Sequence, residues 1–254
     1  MIGLNSLWYQ NFPKSDFHFF NENSEWLQVD KVGHAMTGYY IGKLGMDAMK
    51  WSGVSQKKSM WYGGSLGFIF LSTVEVFDGF SSQWGASFGD IAANALGTSL
   101  LFAQESFWKE QRILLKFSFS KTHDPKYREN IFGKNFQEQM LKDYNGQTYW
   151  LSGNIASFLN EQTKFPKWLN VAFGYGADGM LGGNENPVAD KNGNTFPAFE
   201  RKRQIYFSLD VDLTRIKTRS KFLNTFFNAF GFIKFPAPTL ELTEKKMIFH
   251  SVYF

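Results

Sequence analysis

The chain has 254 residues and no cysteine, with 43% hydrophobic and 20% charged residues, which leaves room for one or two domains with a sizeable core. Those values exclude a disulfide-stapled miniprotein, a disordered chain, thiol catalysis and thiolate metal sites. Aromatic residues reach 19%, and rings in that number gather in cores, at interfaces and in the belts of membrane proteins. The mean hydropathy of −0.30 speaks against a polytopic helical membrane protein. It leaves a β-barrel open, because alternating faces cancel in an average.

Residues 1–29 form an aromatic, irregular segment (Trp8, Tyr9, Phe12, Phe17, Phe19, Phe20, Trp26) broken by Pro13, which reads as a stretch lying across a surface. Its opening lacks a basic stretch followed by an apolar run, so it does not read as a signal peptide. Residues 30–110 read as a helical hairpin bundle. Val32, Ala35, Met36, Tyr39, Tyr40 and Leu44 recur at helical spacing and predict a helix from Asp30 to about Trp51. A second helix is predicted from about Gln56 to Phe77. The third runs from Phe88 to about Phe107, where Ser87 and Asp90 stand in capping-box positions. The longest uncharged run, Ser59 to Val74, falls short of the roughly 20 residues of a span. Gly63, Gly64 and Gly67 favour close helix–helix contact instead.

Beyond Trp108 the period changes to two, and residues 111–254 read as an antiparallel β region. Ile113, Leu115, Phe117 and Phe119 alternate with Leu114, Lys116, Ser118 and Ser120. Ile205, Phe207, Leu209, Val211 and Leu213 alternate with Tyr206, Ser208, Asp210, Asp212 and Thr214, so one face is greasy and the other carries carboxylates. In the stretch after Lys167, Ala172, Gly174 and Gly176 share a face and admit a close neighbour. Residues 147–159 and 246–254 are further strands, and Gly182 to Asn194 is a long polar loop. The predicted fold class is α+β: a helical bundle followed by an antiparallel sheet or a small barrel-like region. Strands of this pattern ending in Phe254 fit an outer-membrane barrel. A sheet packed on helices shows the same alternation.

The first 115 residues carry 8 Lys and Arg against 10 Asp and Glu, and the rest 19 against 13. The basic excess, densest at 201–203 and Arg215 to Lys221, reads as polar loops and strand ends near an anionic surface, with lipid headgroups as the sharper option. It does not lie along one helix or groove as in a nucleic-acid reader.

One constellation carries chemistry. Asp30 and His34 stand at i and i+4, Glu75 and Asp78 at i and i+3, and Asp90 and Asn94 at i and i+4. The end of helix two and the start of helix three are neighbours across a short loop. If helix one begins at that end, acids, an imidazole and a carboxamide converge. Inward carboxylates and imidazoles are how bundles build divalent-metal or acid/base sites. The bland readings are a dipole-favoured Asp30, a capping Asp90, a core Asn94 and an ordinary Asp78-Gly79 turn. No nucleophile elbow, phosphate loop, zincin motif or dinucleotide fingerprint is present.

Asp30-Lys31-Val32-Gly33-His34, Glu75-Val76-Phe77-Asp78-Gly79, and Ser82 to Asp90 with Ala93-Asn94 and Gly97 resemble the YfiM-like family of predicted periplasmic lipoproteins, a domain of unknown function. The resemblance covers about residues 28–107, and its first motif is also similar, less closely, to VanZ-like membrane proteins. It implies a bacterial cell-envelope location and no established activity. The family's lipobox cysteine has no counterpart here, so the sheet or the aromatic N-terminus is left to provide membrane attachment. The function expected is a structural or assembly component of the envelope, acting through membrane or envelope proteins and lipid headgroups. The alternative is a metal-dependent or acid/base envelope hydrolase or lipid-modifying enzyme.

Overall fold

A computed structural model describes residues 13–254 except 123, 161, 191 and 245. The opening of the chain, with Trp8, Tyr9 and Phe12, lies outside the described residues. The fold is α+β, helices first and then a six-stranded antiparallel sheet. Contacts divide it into two compact units, one of residues 13–24 with Lys31–Phe107, the other of Glu25–Asp30 with Trp108–Phe254.

The helical unit is built on α1 (Val29–Trp51), α2 (Leu66–Asp78) and α3 (Phe88–Phe107). The helix expected from Gln56 is broken into a helical turn, Gln56–Lys58, and a π-turn, Ser59–Gly63, before α2. Three glycines within five residues weaken the α-helix there, and the wider turn sets Gly63 against Gly45, where an added Cβ would lie 2.5 Å from the Gly45 oxygen. By length and composition the stretch Gln56–Asp78 is apolar enough to cross a membrane, with the buried Glu75 inside it. Glycine also sets the other crossings. A Cβ at Gly67 would run into the Gly38 carbonyl oxygen, and one at Gly97 into that of Ala35. Gly67→Ala gains about 1 kcal/mol of helix propensity. It must force two backbones apart, which costs more, so a net loss of about 2 kcal/mol is expected, read as a lower thermal midpoint. The segment 13–24 lies across the α2–α3 loop: the Phe20 N–H donates to the Ala86 oxygen (3.0 Å) and the Ala86 N–H to the His18 oxygen (3.0 Å). Phe19 stacks on Phe88 at 4.5 Å.

The second unit carries strands β1 (Ile113–Phe119), β2 (Gln147–Asn154), β3 (Leu169–Asp178) and β4 (Lys202–Val211). Two short helices, α4 (Glu129–Phe132) and α5 (Phe136–Lys142), lie between β1 and β2. Helix α6 (Lys221–Ala229) precedes β5 (Ala237–Thr243) and β6 (Lys246–Tyr253). The strand order follows the chain, every neighbour antiparallel.

The sheet curls strongly. On the outer edge of β1, the Phe117 N–H donates to the Phe232 oxygen (2.8 Å) and the Lys234 N–H to the Phe117 oxygen (2.9 Å), yet β5 begins at Ala237. Three residues reach at most about 11 Å, while β1 and β5 of a flat sheet would be about 19 Å apart. The concave face that results is filled by polar and aromatic side chains. Trp150 is that face's largest group: it occupies the space opposite Gly174, where a Cβ would lie 2.7 Å from its ring, and its indole N–H donates to Ser118 Oγ (2.9 Å). The small residues of β3 thus admit a neighbouring strand's indole. Tyr253 stacks on Tyr206 at 4.6 Å and its hydroxyl lies 3.2 Å from Thr148 Oγ1 on β2.

Candidate functional site

The first candidate is in the helical unit. His34 projects from the second turn of α1, Glu75 from the last turn of α2, and Asp90 and Asn94 from the first two turns of α3. The start of α3 is fixed by Ser87, whose Oγ accepts from the Asp90 N–H (3.2 Å), as its capping spacing predicts. The Ser87 N–H in turn donates to Glu75 Oε2 (3.0 Å), tying the two helix ends together. His34 Nδ1 lies 3.1 Å from Asn94 Oδ1 and 3.9 Å from Glu75 Oε1, and its Nε2 lies 3.9 Å from Asp90 Oδ1. Glu75, Asp90 and Asn94 are buried. The His34 side chain keeps 19% exposure, so the imidazole is the group that meets solvent.

Charge in this cluster is partly neutralised from outside the predicted set. The Lys31 ammonium bridges Asp90 Oδ1 (2.8 Å) and Glu22 Oε1 (2.9 Å). Lys31 was readable as part of the first motif; Glu22 comes from the irregular N-terminal segment and carried no pattern. Asp78, at the C-terminal end of α2, is half-buried and acts on Glu75 as a like charge. Asp30 sits one turn before His34 on α1, and its carboxylate accepts from the Tyr144 hydroxyl (2.5 Å) within the second unit.

Burial, reinforced by Asp90 and Asp78 and opposed by the Ser87 N–H and His34, pushes the Glu75 carboxyl up from 4.5 to about 8. It is therefore largely protonated at neutral pH, with the His34 imidazole 3.9 Å away, beyond direct hydrogen-bond reach. His34 and Asp90 offer a nitrogen and an oxygen within 4.8 Å of each other, donors of the kind divalent ions accept. Asn94 Nδ2, fully buried, has no hydrogen-bond partner among the described residues.

A pH prediction follows. The unfolded chain releases the Glu75 proton near 4.5 and the fold holds it to about 8, so this group's contribution is fully present below 4.5 and is lost as pH rises through 8. Glu75→Gln keeps an acceptor for the Ser87 N–H and removes the titration. Stability curves of the two proteins should coincide in slope below pH 4.5 and diverge above it, with the variant ahead by ~4 kcal/mol at pH 8 and beyond. Denaturant titrations across that range check it.

The second candidate is the two-faced sheet. Register makes one row from Leu115 through Leu151, Phe173, Phe207 and Leu240 to Phe249, and another from Phe117 through Tyr149, Tyr175, Ile205 and Leu242 to Met247. Most of these side chains are exposed, Phe173 at 58% and Phe249 at 65%. The opposite, concave face is the buried one and it is polar: Lys116, Ser152, Asn170, Ser208, Asp210 and Thr239 are all buried. Lys116 Nζ meets Asp210 Oδ2 at 2.7 Å, and Lys234 Nζ lies 4.0 Å from the other oxygen. The alternation of β4 was legible in the sequence, and the exposed side proves to be the greasy one.

Comparison with known proteins bears on the helical unit alone. No curated protein and no solved structure matches the chain. Residues 16–104 match the family model described as "Predicted periplasmic lipoprotein (DUF2279)", a stretch that holds Glu22, Lys31, His34, Glu75, Asp90 and Asn94 and leaves the sheet outside. That match agrees with the YfiM-like resemblance of the motif residues, and it makes the protein one of the cell envelope, with no activity attached to the family.

Proposed function

We propose that the protein is an outer-membrane component of the envelope whose curled sheet inserts with its apolar face toward lipid, while the helical unit serves envelope partners. One observation carries this reading: the sheet buries its polar face and exposes its apolar one, the reverse of a water-soluble sheet. A contiguous exposed apolar surface of this kind marks an interaction site, and its extension from β2 to β6 fits a bilayer. β3 and β4, with 10 residues each, have the 9–11 residues of a tilted transmembrane strand. The interior agrees, since small outer-membrane barrels fill with polar side chains. Large apolar side chains also line the exposed side of the second helical stretch, at Trp61, Leu66, Ile69 and Phe70. Fractionation tests the reading: the protein should sediment with membranes, resist alkaline carbonate and require detergent for release. Recovery in the soluble fraction without detergent overturns it.

A second reading rests on the helical cluster. A fully buried Asn94 whose Nδ2 has no hydrogen-bond partner among the described residues, beside a buried Glu75 and a solvent-reaching His34, favours a metal-dependent or acid/base envelope hydrolase or lipid-modifying enzyme. Metal analysis of the purified protein beside His34→Ala and Glu75→Ala tests it. A stoichiometric divalent ion lost in both variants supports it; no ion, with only thermal stability altered, makes the cluster structural.

A further inference from the structure

We infer that α6 is an interfacial helix that seats the sheet at an anionic lipid surface, its phenylalanine ridge in the acyl boundary and the basic run before it on lipid phosphates. This rests on the membrane reading of the sheet and goes beyond it by naming the depth marker and the headgroup chemistry. On a helical wheel, Phe222, Leu223, Phe226, Phe227, Ala229 and Phe230 fill one arc, and Lys221, Asn224, Thr225 and Asn228 the other. Such a division on a soluble protein would be turned inward. Here the ridge is turned out, with Phe222 exposed at 75% and Phe226 at 42%. Phe226 lies against Phe222 with stacked rings at 6.3 Å and against Phe230 with tilted rings at 4.5 Å, which makes the ridge continuous. Ser220 Oγ accepts from the Leu223 N–H (3.3 Å) and fixes the start of the helix.

Charge and position identify the occupant. Between Leu213 and Leu240 the chain has five basic residues and no acid. Arg215 is paired with Glu110 (3.1 Å) and Lys234 lies within the sheet beside Asp210. Lys217, Arg219 and Lys221 are exposed and form no ion pair among the described residues. Because successive strands are antiparallel, the connections 108–112, 155–168 and 212–236 and the terminal Phe254 lie at one end of the sheet. That end displays Trp108, Phe158, Trp168 and Phe254 as exposed rings, with Lys164 and Lys167 exposed among them. Aromatic rings and cations together at the end of an apolar strand band are the composition of a bilayer's headgroup level. Basic residues held there gain about fivefold in partitioning each on an anionic surface.

The absence of native cysteine allows a clean test on the full chain. Phe222→Cys carrying a nitroxide is reconstituted in vesicles of zwitterionic phosphatidylcholine, alone or with one third phosphatidylglycerol. Carbonate resistance of the same samples reports sheet insertion separately. In anionic vesicles the label should sit at shallow acyl depth, and Lys217→Ala/Arg219→Ala/Lys221→Ala should shift it toward water by about a hundredfold in partition ratio. A label in water in a carbonate-resistant protein overturns the helix assignment and leaves the sheet inserted. Equal depth in both lipids, unmoved by the triple variant, overturns the headgroup chemistry. A protein extracted by carbonate overturns the membrane reading and this inference with it.

Discussion

Phe207→Lys is expected to cost about 2–4 kcal/mol of stability in vesicles and to deplete the protein from membranes, because it places an ammonium on the lipid face near the middle of the longest strand pair. Phe207 opposes Phe173 on β3 and Leu240 on β5, so the charge has apolar neighbours on both sides and no aqueous route along the row. The same substitution on a sheet face in water would do the reverse: exchanging an exposed Phe for Lys stays within about 0.5 kcal/mol and raises solubility. Urea unfolding in vesicles and detergent-free yield therefore move in opposite directions under the two accounts.

Asp210→Asn is expected to be still more damaging, although it changes one atom. The carboxylate is buried with Lys116 Nζ at 2.7 Å and Lys234 Nζ at 4.0 Å, and it also accepts from Ser152 Oγ (2.6 Å) and the Phe235 N–H (3.3 Å). Asparagine keeps one oxygen, so the donors on one side of the former carboxylate face an amide NH2, and the charge is lost. Two ammonium groups are then buried without an anion, and breaking a buried pair in this way costs about 3–5 kcal/mol. The Lys234 ammonium retains the Phe235 carbonyl oxygen (2.6 Å) and a cation–π contact with the Trp150 ring at 4.9 Å, neither of which supplies a countercharge. Adding Lys116→Met to Asp210→Asn removes one of the stranded charges and should restore part of the loss, whereas Lys116→Met alone should not be neutral. Equilibrium unfolding of the three variants separates charge from shape.

Much of the fold was legible because local signals were strong. The Ser87 cap and apolar spacing predicted α3 at its observed ends, and period two predicted β1, β3 and β4. What stayed hidden depends on tertiary placement. Alternation in β4 is the same whether Phe207 or Ser208 faces inward, and the choice is made by curvature, which follows from residues 232–234 pairing with β1 far away in sequence. α6 is nine residues long, too short to announce itself beside the basic run that precedes it, and Pro236 and Pro238 obscured β5. In the helical site, His34, Glu75, Asp90 and Asn94 were readable from spacing on apolar helices. The ion bridge through Lys31 to Glu22 was not, because an irregular segment supplies one end of it. Asp30 shares the helix face of His34 but gives its carboxylate to Tyr144, a partner 114 residues away.

The most direct test of the central claim is a nitroxide scan of β4 from Gln204 to Asp210, one cysteine at a time, in reconstituted vesicles, reading collision with oxygen against a water-soluble nickel chelate. The account predicts a period of two, with labels at 205, 207 and 209 oxygen-accessible and shielded from nickel, and those at 206 and 208 shielded from both. Nickel accessibility at 205, 207 and 209 would contradict it, since the greasy face would then meet water.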